Sequence, residues 1–400
     1  MKRQLLNPAL PLGLTIIGAG AYFAGAGNLT PPIGTVSGTM KPLSDIEPRI
    51  AINTINTPGD ADSLFKITQP GSYYLTGNIT GVSGKHGIEI VTSGVALDLN
   101  GFDLLGVGGS LDGVRVTPTN QKNIAVIHGS VRNWGDSGVD LAFGLATGCR
   151  VDGVVASGNG GVAGINISRA GTISNCTASD NLENGIVADS GCTITNCAVY
   201  RNLSHGIYNN DDGTTISNCS AFDNGDNGIV TARCCTVSQC SVYSNAFTGI
   251  TTSVGSTIIS CSSVENGSGI YCDSASTVAD CTVQSNTGDG IVCTSNCVIR
   301  GNTCTSNGFA SGDGAGIHAT GSDNRIEGNN CTGADRGIDV DFTGNIIIRN
   351  TCSGNTINWE IAASNAVAPI VQATTNGAPI SGNTYAGSLG STDPNANFTY

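Results

Sequence analysis

Twelve Gly-Ile or Gly-Val pairs recur in one local context along this chain of 400 residues: Gly87, Gly113, Gly138, Gly164, Gly185, Gly206, Gly228, Gly249, Gly269, Gly290, Gly316 and Gly337. Asn358-Trp359 stands as a degenerate last member, and the successive steps are 26, 25, 26, 21, 21, 22, 21, 20, 21, 26, 21 and 21 residues. A period of this length constrains the fold more than any single motif, because one short unit cannot bury its apolar side alone and must stack on its neighbours. Within a unit, stretches such as "GIVA", "CTITN" and "CAVYRN" are too brief for helices and rich in Ile, Val and Thr, so each reads as a strand. Three such strands, separated by Gly/Asn/Asp/Ser turns, make one coil. Coils stacked at about 4.8 Å pair every strand in parallel with its copies above and below. The expected fold class is an all-β parallel solenoid of about 13 coils, a rod of roughly 60 Å.

The cysteines must be understood within that repeat. Cys176, Cys197, Cys219, Cys240, Cys261, Cys281, Cys304, Cys331 and Cys352 read as one place in successive coils, with a small or aliphatic residue two further on, such as Ala178, Val199 or Ala221. Period 2 points both inward, so a buried stack of small hydrophobes is the expectation, as is common for free cysteine. Disulfides compete with this reading in a secreted chain with 16 Cys, but side chains stacked in register point the same way and would strain a bridge. Metal binding needs converging ligands, which a column of one residue per coil does not supply. Cys272 and Cys293, equivalent in adjacent coils, with nearby Cys297, are the expected exception.

Two asparagine columns follow the same period. Asn175, Asn196 and Asn218 precede the cysteine and give way to Gln239, Ser260 and Asp280; Asn181, Asn202, Asn224, Asn245, Asn266, Asn286 and Asn307 close the next strand. Asparagine tolerates the left-handed backbone of a tight turn, and stacked amides can bond along a column. Both columns are expected to be structural.

The coil length, asparagine ladders and "NGI" units resemble the right-handed parallel β-helix of the pectin-lyase-like superfamily, in particular NosD-like repeat proteins and secreted bacterial β-helix proteins. The resemblance covers about residues 81 to 365. It implies a single-stranded right-handed parallel β-helix with N- and C-terminal caps, and it says little about activity, since the superfamily spans lyases, hydrolases, epimerases, adhesins and tailspikes. "PLSDIEPRIAIN", 42 to 53, is expected to begin a short helical lid with Ser44 as N-cap and Glu47 three residues on. "LFKITQPGSYYLTGNIT" then reads as a strand, a Pro-Gly turn and a strand leading into the first coil. Residues 366–400 lose the ladder and read as a C-terminal cap or tail. The full division is a leader over 1–26, an N-terminal segment and cap over 27–80, the β-helix over 81–365 and the cap over 366–400.

The leader follows from Met1-Lys2-Arg3, the apolar stretch from Ala9 to Ala26, and the small-residue end Ala24-Gly25-Ala26, which together form a secretory signal cut near Gly27. The protein is then expected outside the cell, at its surface or in the periplasm, with no transmembrane segment in the mature chain. Net charge is −13, and −15 once Lys2 and Arg3 are lost; such a surface repels nucleic acid and anionic lipid. With two Met, Met1 included, there is no thioether cluster for Cu(I). Neither composition nor repeat specifies an oligomeric state.

Candidate chemistry lies on the outer side of the Gly-Ile strand. The residue after the inward Ile points to solvent, and coil by coil it is Glu89, Arg115, Asp140, Asn166, Val187, Tyr208, Val230, Thr251, Tyr271, Val292, His318, Asp339 and Glu360. The middle of this row is neutral and the ends are charged. Loops beside it are short from Asn181 to Gly290 and longer outside, as in "GFASGDGA". A flat strip of six coils, roughly 29 Å, suits an extended polysaccharide, with Tyr208 and Tyr271 as sugar platforms and His205 and Arg336 as further substrate contacts. His318, Asp339 and Glu360 are the candidate catalytic residues; stacked carboxylates about 5 Å apart can share a proton, or with Asp341 hold Ca²⁺. Asp339, Asp341 and Glu360 are thus the expected metal ligands. Glu89, Arg115 and Asp140 alternate in sign and read as an ion-pair stack. His205 and Asp289 share a turn position four coils apart, about 19 Å, too far for one inverting pair. The expected function is binding, with cleavage by a lyase or hydrolase reaction as an extension of it; the competing expectation is a non-catalytic adhesin or scaffold.

Overall fold

The computed structural model describes residues 47–308, 312–373 and 391–400. Arg49–Tyr400 forms one compact unit, and of the preceding unit, Met1–Pro48, only Glu47 and Pro48 are described. The leader and Ser44 therefore lie outside the described residues. Those described form strands and turns, with no helix among them, and the strands pair in parallel throughout.

Fourteen strands, from Ser63–Ile67 to Ile357–Ile361, stack into one sheet. Its register aligns the residue after each repeating glycine, Ile186 on Ile207, Ile229, Ile250, Ile270 and Ile291, and every one of these is fully buried. Each such side chain contributes about 1.5–3 kcal/mol by leaving water. The glycine has a steric cause: a Cβ on Gly185 would lie 2.2 Å from Val199 Cγ1 and 2.7 Å from Asn202 Nδ2. The remaining strands form a 28-stranded sheet. It is continuous because Ala125–Arg132 and Arg150–Ser157, eight residues each, span both of the rows that later coils build from separate three-residue strands.

Both ends depart from expectation. Ser63–Ile67 already stacks on His86–Ile90, so the ladder begins before residue 81 and holds one coil more than the thirteen read from the repeat. The expected helical lid is, in its described part, the strand Ile50–Ala51 paired with Gly71–Tyr74, followed by a turn in which Thr57 N–H bonds Asn53 O at 2.9 Å. An extended segment satisfies the backbone groups on the open sheet edge, which a single helical turn would leave bare. At the other end, Asn397–Thr399 inserts between Thr351–Ser353 and Ile370–Gln372. The tail expected to lose the ladder thus returns to it, and Asn350 N–H donates to Asn397 Oδ1 at 2.9 Å.

The two asparagine columns differ physically. Asn159, Asn181, Asn202, Asn224, Asn245, Asn266, Asn286 and Asn307 form an unbroken buried chain of amides. Asn224 Oδ1, for example, accepts both the backbone N–H of Asn202 at 3.2 Å and its Nδ2–H at 2.9 Å. One coil before Asn159 the place is taken by Trp134, whose buried indole fills the wider early coils against Gly81 and Gly87 and donates to Leu104 O at 3.0 Å. Asn175, Asn196 and Asn218 are instead exposed, with φ of 54°, 55° and 54°; they shape turns and barely bond one another.

The cysteines divide into more columns than the repeat suggested. Cys176 to Cys281 make one column of six, which passes at Asn302 into an asparagine ladder through Asn329 and Asn350. Cys304, Cys331 and Cys352 instead continue the column of Val283. The cause is a two-residue shift in "GNTC" relative to "DC", which period 2 allows without turning the thiol outward. All sixteen thiols are free, the anticipated exceptions Cys272, Cys293 and Cys297 included, and only Cys234 is exposed.

Candidate functional site

The outward row read from the sequence is in register, Glu89 on Arg115, Asp140, Asn166, Val187, Tyr208 and so on to His318, Asp339 and Glu360, and Lys66 adds a first member. It is not uniformly open to solvent, for Glu89, Val187 and Asp339 are buried. Two further outward columns flank it. Glycine and the following Ile both face the core at a corner of the coil, so the residue before the glycine also turns outward and lies three residues from the row: Asp112 beside Arg115, Arg336 beside Asp339. The fourth residue after the glycine supplies Thr117 and Asp341.

At the C-terminal end, these columns surround His318. Its Nδ1 lies 3.1 Å from Asp289 Oδ2, its Nε2 3.1 Å from Asp341 Oδ2 and 3.9 Å from Asp339 Oδ2. The Asp289 hydrogen bond, reinforced by Asp341 and Asp339, outweighs burial and raises the imidazole to about 9. At neutral pH the ring is an imidazolium with both N–H groups engaged by carboxylates, a form that can give up a proton but cannot take one or ligate a metal. Burial raises the Asp339 carboxyl, against the pull of His318 and Arg336.

Arg336 organises the rest. It donates to Asp339 Oδ2 at 3.0 Å and to Glu360 Oε2 at 2.5 Å, and it touches Asp313. The carboxylates of Asp339 and Glu360 are therefore bridged by a guanidinium and do not share a proton. The same contact holds Glu360 apart from the other two expected ligands. Among the described residues, His318, Asp339 and Asp341 bring ligand atoms within 4.8 Å of one another, and Glu360 is not part of the group. These side chains supply two carboxylates and an imidazole, so most of the six to eight oxygens that Ca²⁺ takes would have to come from water or backbone.

Farther along the face, Tyr208 and Tyr271 are half-buried members of the row, three coil steps or roughly 14 Å apart. The Tyr208 ring stacks on His205 at 5.1 Å between centroids. Burial lowers the His205 pKa against the opposing Asp226 at 3.6 Å, and its Nδ1 accepts Asn227 N–H at 3.3 Å. A neutral imidazole on a phenol ring is an amphipathic shelf able to pack a sugar and bond its hydroxyls. His205 and Tyr208 thus come together, whereas Arg336 belongs to the distant ionic cluster.

The N-terminal end holds a second cluster. Glu89, Arg115 and Asp140 do not pair with one another as expected. Glu89 is bound by Ser63 at 2.9 Å, Lys66 at 2.9 Å and Thr117; these bonds overcome the upward push of burial and hold its pKa low. Arg115 pairs with the buried Asp112 at 3.0 Å and lies over the Phe143 ring at 3.7 Å. Asp140 accepts Ala142 N–H, Phe143 N–H and Asn166 Nδ2–H, each at 3.1 Å. Burial, then the nearby Asp112, raises Asp140 to about 6. His86 completes the group, its Nδ1 3.1 Å from Asp112 Oδ2. His86 and Asp112 were not found from the sequence, and Asp289 was read there only as a turn residue too far from His205 to act with it; the residue before each repeating glycine was the signal.

A family model described as the right handed beta helix region matches residues 109–263 and, overlapping, 189–322, together more than half of the chain. No curated protein matches the sequence. Among solved structures, the A-module of the Azotobacter vinelandii mannuronan C-5 epimerase AlgE4 is similar at 16% identity over 80% of this chain and 88% of that one, TM-score 0.43. The periplasmic alginate epimerase AlgG is similar at 12% identity over 74% and 79%, TM-score 0.41. A tailspike protein of E. coli bacteriophage HK620, in complex with a hexasaccharide, is similar at 12% identity over 91% and 80%, TM-score 0.45.

Proposed function

This chain belongs to the right-handed β-helix family, and from that premise we propose that it is a secreted protein, placed outside the cell, at its surface or in the periplasm, that binds polysaccharide along the outer face of its fourteen-stranded sheet. The observation that carries this reading is the in-register strip from Val187 to Val292, neutral, aromatic at Tyr208 and Tyr271, and bounded by an ionic cluster at each end. Coil spacing offers an extended chain a repeating ridge on one side, and rings that are apolar on the face and polar at the rim suit sugars. A net charge of −13 favours neutral glycans over polyanions.

Binding without cleavage, in an adhesive or scaffolding role, is favoured by the closed pairing of Arg336 with Asp339 and Glu360. The cleaving reading rests on one observation, the imidazolium of His318 beside the buried Asp339: His318 is then the proton donor and Asp339 the adjoining carboxylate. The test is retention and product release on a panel of neutral and acidic polysaccharides. We expect Tyr208→Ala with Tyr271→Ala to abolish retention. Unchanged retention in the double variant would remove the binding strip, and wild-type product release that survives both His318→Gln and Asp339→Asn would remove the cleaving site.

A further inference from the structure

We propose that a missing rung in the buried asparagine ladder leaves a binding site for the acetamido group of an N-acetylated neutral sugar. The choice of a sugar rests on the polysaccharide reading above; the site itself does not. From Asn181 to Asn307 each Oδ1 accepts two bonds from the asparagine one coil before it. Asn307 Oδ1 takes the backbone N–H of Asn286 at 3.2 Å and its Nδ2–H at 2.9 Å. The register then places Ala334 on Asn307, and Asn355 on Ala334. Ala334 has no amide to offer. Asn307 therefore donates one bond, from Nδ2 to Val283 O at 3.0 Å, while its backbone N–H and second Nδ2–H have no partner among the described residues. The ladder resumes one coil later, where Ala334 N–H donates to Asn355 Oδ1 at 2.9 Å.

The gap is not closed by collapse of its walls. Asn307, Gly333, Ala334, Asp335, Gly354 and Thr356 line a cavity of about 230 Å³, and Gly354 and Thr356 are exposed at its mouth. That is roughly seven water volumes, more than the two carbons, oxygen and nitrogen of an acetamido group need. Asp335 Oδ2 is buried there with no hydrogen-bond partner. Unpaired buried polar groups are costly, and here they ask for opposite things: the N–H groups of Asn307 need an acceptor and the Asp335 carboxylate needs a donor. A metal cation serves only the carboxylate, and an anion serves only the amide. A secondary amide serves both, presenting C=O along one edge and N–H along the other. The Ala334 methyl and the two glycines leave an apolar wall for the acetyl methyl. Such a group stands in for the absent asparagine, and N-acetylated sugars carry it as a pendant. Asp335 directly precedes Arg336, the centre of the ionic cluster that bounds the neutral strip, so a sugar in the cavity adjoins the C-terminal end of the candidate glycan face.

The experiment is a ¹⁵N NMR titration of the folded protein with methyl N-acetyl-β-glucosaminide and, in parallel, with methyl β-glucoside. We expect the Asn307 backbone amide to shift with the N-acetylated glycoside alone. Ala334→Asn restores the rung and should abolish the response while raising the denaturant midpoint. Asp335→Ala leaves the ladder as it is, removes the acceptor and should weaken binding about tenfold; it decides the matter should Ala334→Asn not fold. Tyr208→Ala with Tyr271→Ala should leave the glycoside response in place, so that failure of the strip and failure of the cavity read out separately. Equal shifts with the two glycosides, no shift with either, as for a cavity that holds water only, or undiminished binding in the folded variants at Ala334 and Asp335 would overturn the proposal.

Discussion

The imidazole of His318 should remain protonated far above neutrality, and the structure gives the size of the effect. Its pKa stands at about 9 against an ordinary 6.5, and with the side chain 22% exposed the difference corresponds to at most about 3.4 kcal/mol of preference for the charged ring. Because the folded pKa lies above the unfolded one, that stabilisation is fully present below about pH 6.5 and is lost as pH rises through about 9. The chain has four histidines, so a ¹³C-histidine NMR spectrum holds four ring signals, and His318→Gln assigns one by removing it. We expect that signal to titrate near 9, and Asp289→Asn, which removes the largest cause, to bring it down further than Asp341→Asn does. A solenoid can unfold piecewise, so the titration rather than a melting temperature decides. A His318 signal titrating at or below 7, or insensitivity to Asp289→Asn, would refute the assignment of the ring as a clamped imidazolium.

Two further perturbations test the fold and the second cluster. Asn224→Ala removes the amide that accepts Asn202 N–H and donates to Val199 O, leaving buried backbone groups unpaired; denaturant unfolding should show a loss of about 2–4 kcal/mol, against about 1 kcal/mol for the exposed turn residue Asn218→Ala, whose cost is the left-handed backbone alone, and equal losses would contradict the ladder's role. Asp140, raised to about 6 by burial and Asp112, favours folding below pH 4 and opposes it progressively as pH rises through 6, so Asp140→Asn should stabilise the protein at pH 8 by up to about 3 kcal/mol and not at pH 4; a difference independent of pH would count against the buried-carboxyl account.

The repeat made the backbone legible because one alignment of Gly-Ile pairs assigns every strand to a coil, and the outward row emerged in register from Glu89 to Glu360. It could not reveal the chemistry, for two physical reasons. First, strict alternation treats the residue before the glycine as a turn, whereas the corner that faces both Gly290 and Ile291 inward turns Asp289 outward to meet His318 one coil above. Second, period 2 cannot distinguish a column from its neighbour two residues away, which is why Cys304 reads like Cys281 although it stands on Val283. Both failures concern relations between coils, separated by 20 to 30 residues, rather than within one. A solenoid therefore hides its sites from motif reading in a specific way: the residues of a site occupy one column each and never appear together in any single repeat. His318, Asp289 and Asp341 share no local motif, yet the coil spacing alone brings all three within hydrogen-bonding reach. Function in such a chain is to be sought by reading down adjacent columns, and the columns that matter are those where polar residues interrupt an otherwise apolar or amide stack.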